Sequence, residues 1–411
     1  MFGASALAAT LALLGTAAAI PTVCGTTVQL TRRDLGLKNG DGSANIDGLV
    51  AETERMHKKF ERNRKNMIYY GQHMKDPTAR QKRGTMVLTA QEYAVWTGKV
   101  SVGTPAQTFD IYFDTGSSDF TLSSTACGTT CGTKHRYDMA ASTTAQKTST
   151  TVTTNFVDGT SSSGVVYRDT VTAGGSTAVG QDVVAATSLS STVAELASDG
   201  MGLSYPSLSS AGSSSLMFTL AKQGSYGTYP YFSMRLSYEG RSEITFGGYN
   251  RARVTSTPRW YNASPESNGV RTYWQMAASA PYVNGVAAVP TATHILDSGT
   301  TLIVAPPAAA ATFWAKVPGS AKYSDIFYSY PCDTPPSLSF VFSRSFGYKW
   351  AVKEDSFNLG YLQEAPDRCI GAVISQDLGL GTSWLLGDAF MTNVYVMHDV
   401  VKNRIGITTT R

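Results

Sequence analysis

Two short stretches hold the residues best suited to chemistry. Asp114 ends the apolar, aromatic run of "IYFDTGSSDFTL" (111–122) and is followed by Thr115, Gly116, Ser117 and Ser118. Asp297 ends the run of "ILDSGTTLIV" (295–304) and is followed by Ser298, Gly299, Thr300 and Thr301. One Asp-hydroxyl-Gly sequence alone reads as a tight turn. Two matched copies read as a pair of carboxyls. Like charges brought close together cannot both ionise easily, so such a pair holds one proton between its members. The ionised member can take a proton from water while the protonated member polarises a carbonyl. That chemistry hydrolyses a peptide bond without a metal or a covalent intermediate. Glycine allows close approach at each turn, and the hydroxyls can hydrogen-bond carboxylate oxygens or the opposing backbone.

The elements that must position the acids repeat as well. Met201-Gly202 lies in "DGMGLSYPS", with Gly202 88 residues after Asp114. Leu386-Gly387 lies in "WLLGDAF", with Gly387 90 residues after Asp297. The acids themselves are 183 residues apart. Each half reads as strand, Asp-hydroxyl-Gly, then apolar-Gly, which points to two similar lobes that each present one acid.

The 411 residues suffice for one large or two ordinary domains with a sizeable core. The chain is 42% hydrophobic and 16% charged, and its 38 glycines with many Ser, Thr and Val favour short strands and turns. "YAVWTGKVSVG" (93–103) and "TFDIYFD" (108–114) read as a hairpin, and 141–156 as an exposed hairpin. Helices are expected over 46–70, 213–224 and 306–319. In the first, Leu49, Met56, Phe60 and Met67 recur near helical spacing, with acid-before-base pairs Glu54–Lys58 and Glu61–Lys65.

Residues 1–19 read as a secretory signal peptide, although no Lys or Arg precedes the apolar run. That run is short for a bilayer span, so a soluble secreted protein without a membrane anchor is expected. Residues 20–83 carry 13 Lys and Arg against seven Asp and Glu, a net +6, and the remainder of the chain carries −2. A nucleic-acid-binding tail is the competing reading of a basic segment. The dibasic pair Lys82-Arg83 in "QKRG" instead suggests a propeptide cut at that junction. Its basic side chains are expected to be drawn to the cleft acids.

Five cysteines suit an oxidising compartment. Cys127 and Cys131 would close a tight loop, Cys332 and Cys369 could close a longer one, and Cys24 is left over; free thiols are the alternative. No Cys-x-x-Cys, HExxH or GxSxG occurs, and beyond the basic segment the histidines are His135, His294 and His398. Zinc and serine mechanisms therefore lack their parts, and no cofactor is expected. Asn262 in "NAS" is a glycosylation candidate weakened by Pro265.

The motifs in order resemble those of pepsin-like aspartic endopeptidase zymogens, more narrowly the secreted fungal enzymes of the polyporopepsin type. The likeness covers roughly residues 92–408, through "VGTPAQTFDIYFDTGSS", "DGTSSSGVVYRDTV", "DGMGLSYPSLSS", "ITFGG", "YWQM" and "WLLGDAFMTNVYVMHDVVKNRIGI". It implies an all-β, bilobal fold with a deep interlobe cleft and few short helices. The lobes would span 84–254 and 255–411. Asp114 and Asp297 would be catalytic, supported by Thr115, Gly116, Ser117, Ser298, Gly299 and Thr300. A flap within 156–164 would cover the cleft, with Phe156, Asp158, Gly159, Thr160 and Tyr112 at the substrate. Disulfides Cys127–Cys131 and Cys332–Cys369 fit the family's positions. The family usually has tyrosine where Phe156 stands and tryptophan where Thr121 stands, and those two side chains commonly hydrogen-bond, so the flap's polar network is expected to differ here. The implied protein is a monomer that cuts protein or peptide substrates at acid pH, held latent by its own propeptide. Secretion is expected, with a vacuolar location as the alternative. Nucleic acid is not an expected partner. A catalytically inactive pepsin-like binding protein is the alternative function, although such proteins typically lose an acid or a glycine from one motif.

Overall fold

Each acid stands where a strand meets a turn, and the same strand arrangement surrounds both. The computed structural model describes residues 23–32, 36–73, 96–155, 161–189, 199–239, 241–266, 268–289, 291–343 and 347–411. In the first half, strand Gln107–Asp114 runs parallel to Asp199–Gly202, with Asp114 opposite Gly202. Strand Phe120–Ser123 lies antiparallel on the other side of Asp199–Gly202 and parallel to Ser176–Ser188. In the second half, Ala292–Leu296 runs parallel to Trp384–Leu386, with Leu296 opposite Leu386. Ile303–Ala305 lies antiparallel to Trp384–Leu386 and parallel to Val373–Ser375. The chain thus builds one four-strand arrangement twice, with the acid at the same corner each time.

The apolar-Gly pairs complete these corners. Leu203 N–H donates to the Asp114 carbonyl, and Asp297 N–H donates to the Leu386 carbonyl. A Cβ on Gly202 would lie 2.3 Å from the Ser118 nitrogen, and one on Gly387 would lie 2.2 Å from the Thr300 carbonyl oxygen. Both turns therefore need a residue without a side chain.

The fold is all-β and bilobal, with strands dominating throughout. Among the described residues one sheet of 13 strands crosses the molecule, and three smaller sheets of five, four and four strands carry the rest. Strand Val23–Arg32 is built into the large sheet between Ser242–Asn250 and Trp96–Val102. The main core cluster spans both halves and includes Phe109, Ile111 and Phe113 before the first acid and Ile295 and Leu296 before the second. The alternating sequence "WTGKVSV" gives Trp96–Val102 one buried face, as period-two patterning requires. It pairs antiparallel with Gln107–Asp114, which is the expected hairpin. The expected helices are Ile46–His73, Leu216–Gln223 and Pro307–Trp314.

The 28-residue helix Ile46–His73 is the exception to short helices. Leu49, Met56 and Phe60 are fully buried, and Met67 packs partly buried against the core. Glu54–Lys58 and Glu61–Lys65 are ion pairs at 3.6 Å. Disulfides join Cys127 to Cys131 and Cys332 to Cys369. Cys24 lies in strand Val23–Arg32, opposite Tyr249. Among the described residues no helix is long and apolar enough to cross a membrane. Residues 1–19, Lys82-Arg83, and Phe156, Asp158, Gly159 and Thr160 lie outside the described residues.

Candidate active site

The two turns grip each other through their hydroxyl residues. Thr115 N–H donates to Ser298 Oγ at 3.0 Å, and Ser298 N–H donates to Thr115 Oγ1 at 2.9 Å. The Thr115 hydroxyl donates on to the Leu296 carbonyl, and the Ser298 hydroxyl to the Phe113 carbonyl. Every donor and acceptor in this exchange is buried and paired, so the turns are locked in register.

Each acid is then held by its own turn. Gly116 N–H donates to Asp114 Oδ1 at 2.8 Å, and Ser117 Oγ donates to Asp114 Oδ2 at 2.6 Å. Gly299 N–H donates to Asp297 Oδ1 at 2.9 Å, and Thr300 Oγ1 donates to Asp297 Oδ2 at 2.7 Å. The glycines face the opposite acids. A Cβ on Gly116 would stand 2.4 Å from Asp297 Oδ1, and one on Gly299 would stand 2.2 Å from Asp114 Oδ1. Only glycine allows the two carboxyls this approach.

The long helix lies across the pair. Lys59 Nζ donates to Asp114 Oδ1 at 2.6 Å and to both Asp297 oxygens at 2.8 Å. Four residues before it, Arg55 Nη2 donates to the Gly299 carbonyl at 2.8 Å. Four residues after it, Asn63 Nδ2 donates to the Gly116 carbonyl at 2.6 Å. Glu52 pairs with Arg55 and accepts from Thr301 N–H, and Asn66 reaches the Leu208 carbonyl. Residues 52, 55, 59, 63 and 66 follow helical spacing, so they form one polar stripe. Its centre binds the acids, and its flanks bind the matching glycine carbonyl of each turn.

Sequence reasoning found the apolar stripe and the surface ion pairs of this helix but missed the polar stripe. The signal was present: 55, 59 and 63 are basic or amide residues at strict four-residue spacing. What hid it was the abundance of surrounding charge.

The electrostatics of the two acids differ. Burial pushes Asp114 up, but the Lys59 ammonium and the Ser117 hydroxyl outweigh it and hold the carboxyl below the usual carboxylate range. Burial pushes Asp297 up too; Lys59 opposes this, the Asp114 charge adds to it, and the result stays raised. Burial disfavours the Lys59 ammonium, yet the two carboxylates hold its pKa above the ordinary lysine value. With Asp114 held low and Asp297 held high, Asp297 is the member of the pair that takes up a proton first as the pH falls.

Tyr112 and Ser117 line a cavity next to Asp114. Asn262 is exposed at the end of strand Arg259–Asn262. Among the described residues no three His, Cys, Asp or Glu side chains gather as a metal site.

The family model for eukaryotic aspartyl proteases matches residues 95–410. Over 338 residues the chain is 36% identical to an aspartic protease of Phaffia rhodozyma, which covers 80% of this chain and 79% of that relative. It is 31% identical over 306 residues to rhizopuspepsin of Rhizopus chinensis, covering 73% and 74%. It is 28% identical over 319 residues to pepsin A of Sus scrofa, covering 75% and 80%.

Proposed function

The chain belongs to the eukaryotic aspartyl protease family, an aspartic-type endopeptidase, and from that premise we propose how it works and how it is kept silent. Asp114 and Asp297 are the catalytic pair. Residues 20–83 are an inhibitory propeptide, and 84–254 and 255–411 are the lobes that carry one acid each. The observation that carries this reading is the Lys59 ammonium, bonded to both carboxyls at 2.6–2.8 Å. It occupies the place where a water would be held between the acids.

With the helix gone, a water takes the ammonium's hydrogen-bonding position. The ionised carboxylate accepts a proton from that water as its oxygen attacks the peptide carbonyl carbon. The other carboxyl donates its proton to the carbonyl oxygen. The resulting diol collapses with proton transfer to the amide nitrogen, the C–N bond breaks, and acid and amine leave. The Thr115–Ser298 exchange holds both acids still, which is the positioning that such catalysis depends on.

Latency follows from the same contacts. Glu52, Arg55, Lys59, Asn63 and Asn66 fill the hydrogen-bonding positions of the cleft, so no substrate can enter. Asp297 is the raised member of the pair, so it takes up a proton first as the pH falls and Lys59 loses one of its two anions. We propose acid-triggered release on this ground, with cleavage at Lys82-Arg83 and secretion of the product as a monomer. Asn262 is proposed as the carrier of one N-linked glycan.

The test is Asp114→Asn and Asp297→Asn in the acid-treated protein. Each is expected to lose peptide hydrolysis by at least about a hundredfold while keeping its thermal unfolding profile. Activity within tenfold of wild type in either variant would show that the pair is misassigned. Sequencing the new N-terminus after acid treatment checks the cut near Gly84.

A further inference from the structure

A cavity of about 110 Å³ opens beside Asp114 in the first lobe. That volume is enough for several waters, and so for a side chain. Val152, Val184 and Leu208 make part of its wall apolar, and Thr121 contributes only a short side chain. Arg62 and Asn63 of the long helix form another part of the wall. Removing that helix would leave the cavity open next to the acid.

The charged groups of the lobe that line it are Lys134, Asp119 and Asp199. Both carboxylates are engaged by neighbouring backbone and hydroxyl donors. Asp199 accepts from Ser123 N–H at 2.9 Å and from Ser123 Oγ at 2.8 Å. Asp119 accepts from the hydroxyls of Ser209 and Ser210 and from Ser210 N–H. Lys134 pairs with Asp199 at 3.6 Å, and both side chains are only 6% exposed. Burial pulls the Lys134 ammonium below the usual lysine range while Asp199 opposes the shift. Lys134 is thus a buried cation in the wall of the cavity, and a side chain that ends in a hydrogen-bond acceptor complements it there.

We propose that Lys134 is a specificity-determining residue of this cavity, which takes a substrate side chain ending in a hydrogen-bond acceptor, such as the amide oxygen of glutamine. The inference rests on the peptidase reading above, since it assigns part of the same cleft. The apolar wall would hold the methylene stem, and Lys134 would meet the tip. A lysine tip would bring a second cation to Lys134, and a leucine would leave the ammonium without the added bond.

The experiment uses the acid-activated full-length protein and a set of peptides. In each peptide one position flanking the scissile bond is glutamine, leucine or lysine, and the remaining sequence is constant. The readout is the ratio of kcat/KM for glutamine over leucine. At one position wild type is expected to favour glutamine by about tenfold, the scale of one hydrogen bond to a charged group, with lysine last. Lys134→Met is expected to bring that ratio to one or below. Should the single variant fail to fold because Asp199 is left unpaired, Lys134→Met with Asp199→Asn removes both charges and carries the same expectation. A glutamine preference that survives in the folded variant overturns the assignment, as does a wild-type preference for lysine or leucine at every position. Failure of wild type to cut any peptide overturns the peptidase reading and this inference with it. Cleavage without a Lys134-dependent ratio overturns this inference alone.

Discussion

The turns at Asp114 and Asp297 share a backbone and differ in their surroundings. Both have the same strand pairing, the same glycine N–H on the acid, a hydroxyl three residues on and the same exchange across the middle. Yet Asp114 is held low and Asp297 is held high. Asp388, another buried carboxyl whose pKa is pushed well up, lies on the Asp297 side. The cavity with Lys134 lies on the Asp114 side. Geometry is thus set by the repeated local sequence, and proton affinity is set by what packs around it.

The largest expected break in this comparison comes from Lys59→Met, which removes a group that serves both acids. Losing one partner of a buried ion pair costs about 3–5 kcal/mol, here drawn from docking of the helix. Peptide hydrolysis by the uncleaved precursor at neutral pH should rise above the wild-type background. Because these charges are buried, salt should not reproduce the effect. A variant as silent as wild type would show that other contacts keep the cleft closed.

Gly116→Ala and Gly299→Ala test whether the two turns are sterically equal. Each added methyl would press on the opposite carboxyl and is expected to cost roughly 1–3 kcal/mol in stability. Unfolding midpoints of the two variants should fall by similar amounts. A harmless alanine on one side would mean that the apparent symmetry does not hold.

A strand position three before each acid sharpens the contrast. It is Ile111 in the first half and His294 in the second, and both are buried. The His294 ring meets Phe340 and Phe342 edge-on at 5.4 Å, and neither ring nitrogen has a partner among the described residues. Burial pulls its pKa down to about 3. In the unfolded chain the imidazole takes a proton near its ordinary value, so the unfolded state binds protons first as acid is added. The contribution to stability is therefore complete above about pH 6.5 and is lost as the pH falls towards 3, reaching about 2 kcal/mol at pH 5. His294→Ile, which copies the first half, should flatten the fall in melting temperature between pH 7 and 5. An unchanged slope would move the acid sensitivity elsewhere, for instance to His398, which is buried against Phe232 and likewise lowered to about 3.

The finest distinction belongs to the exchange itself, where the reading is a departure from additivity. Thr115→Val and Ser298→Ala each remove a hydroxyl and should each cost about 1–3 kcal/mol, because buried partners lose their bonds. The double variant should cost less than the sum of the singles, since the two hydroxyls serve one network. Additive losses in a four-protein denaturation cycle would mean that the turns are held independently.

Much of this was legible before folding. Asp114 and Asp297 stand out because a strand, an acid, a hydroxyl, a glycine and a later apolar-Gly pair recur in one order, while the strands Ser176–Ser188 and Val373–Ser375 that complete each four-strand corner come from distant sequence and show only in the fold. The long helix was legible from Leu49, Met56 and Phe60, whose spacing places them on one face. Lys59 was not, because several basic residues share that segment and nothing local distinguishes the one that reaches the acids. His294 reads as polar in sequence, and only packing against Phe340 and Phe342 makes it a buried neutral ring.

The sequence by itself determined which residues could form each acid-bearing turn, because turn geometry and hydroxyl placement depend on neighbours a few positions apart. Tertiary structure alone decided that Lys59 sits between the acids, that Asp114 and Asp297 diverge in proton affinity, and that Lys134 is buried beside a cavity. Charge and burial sum over atoms brought together from distant parts of the chain, and those sums exist only once the chain has folded.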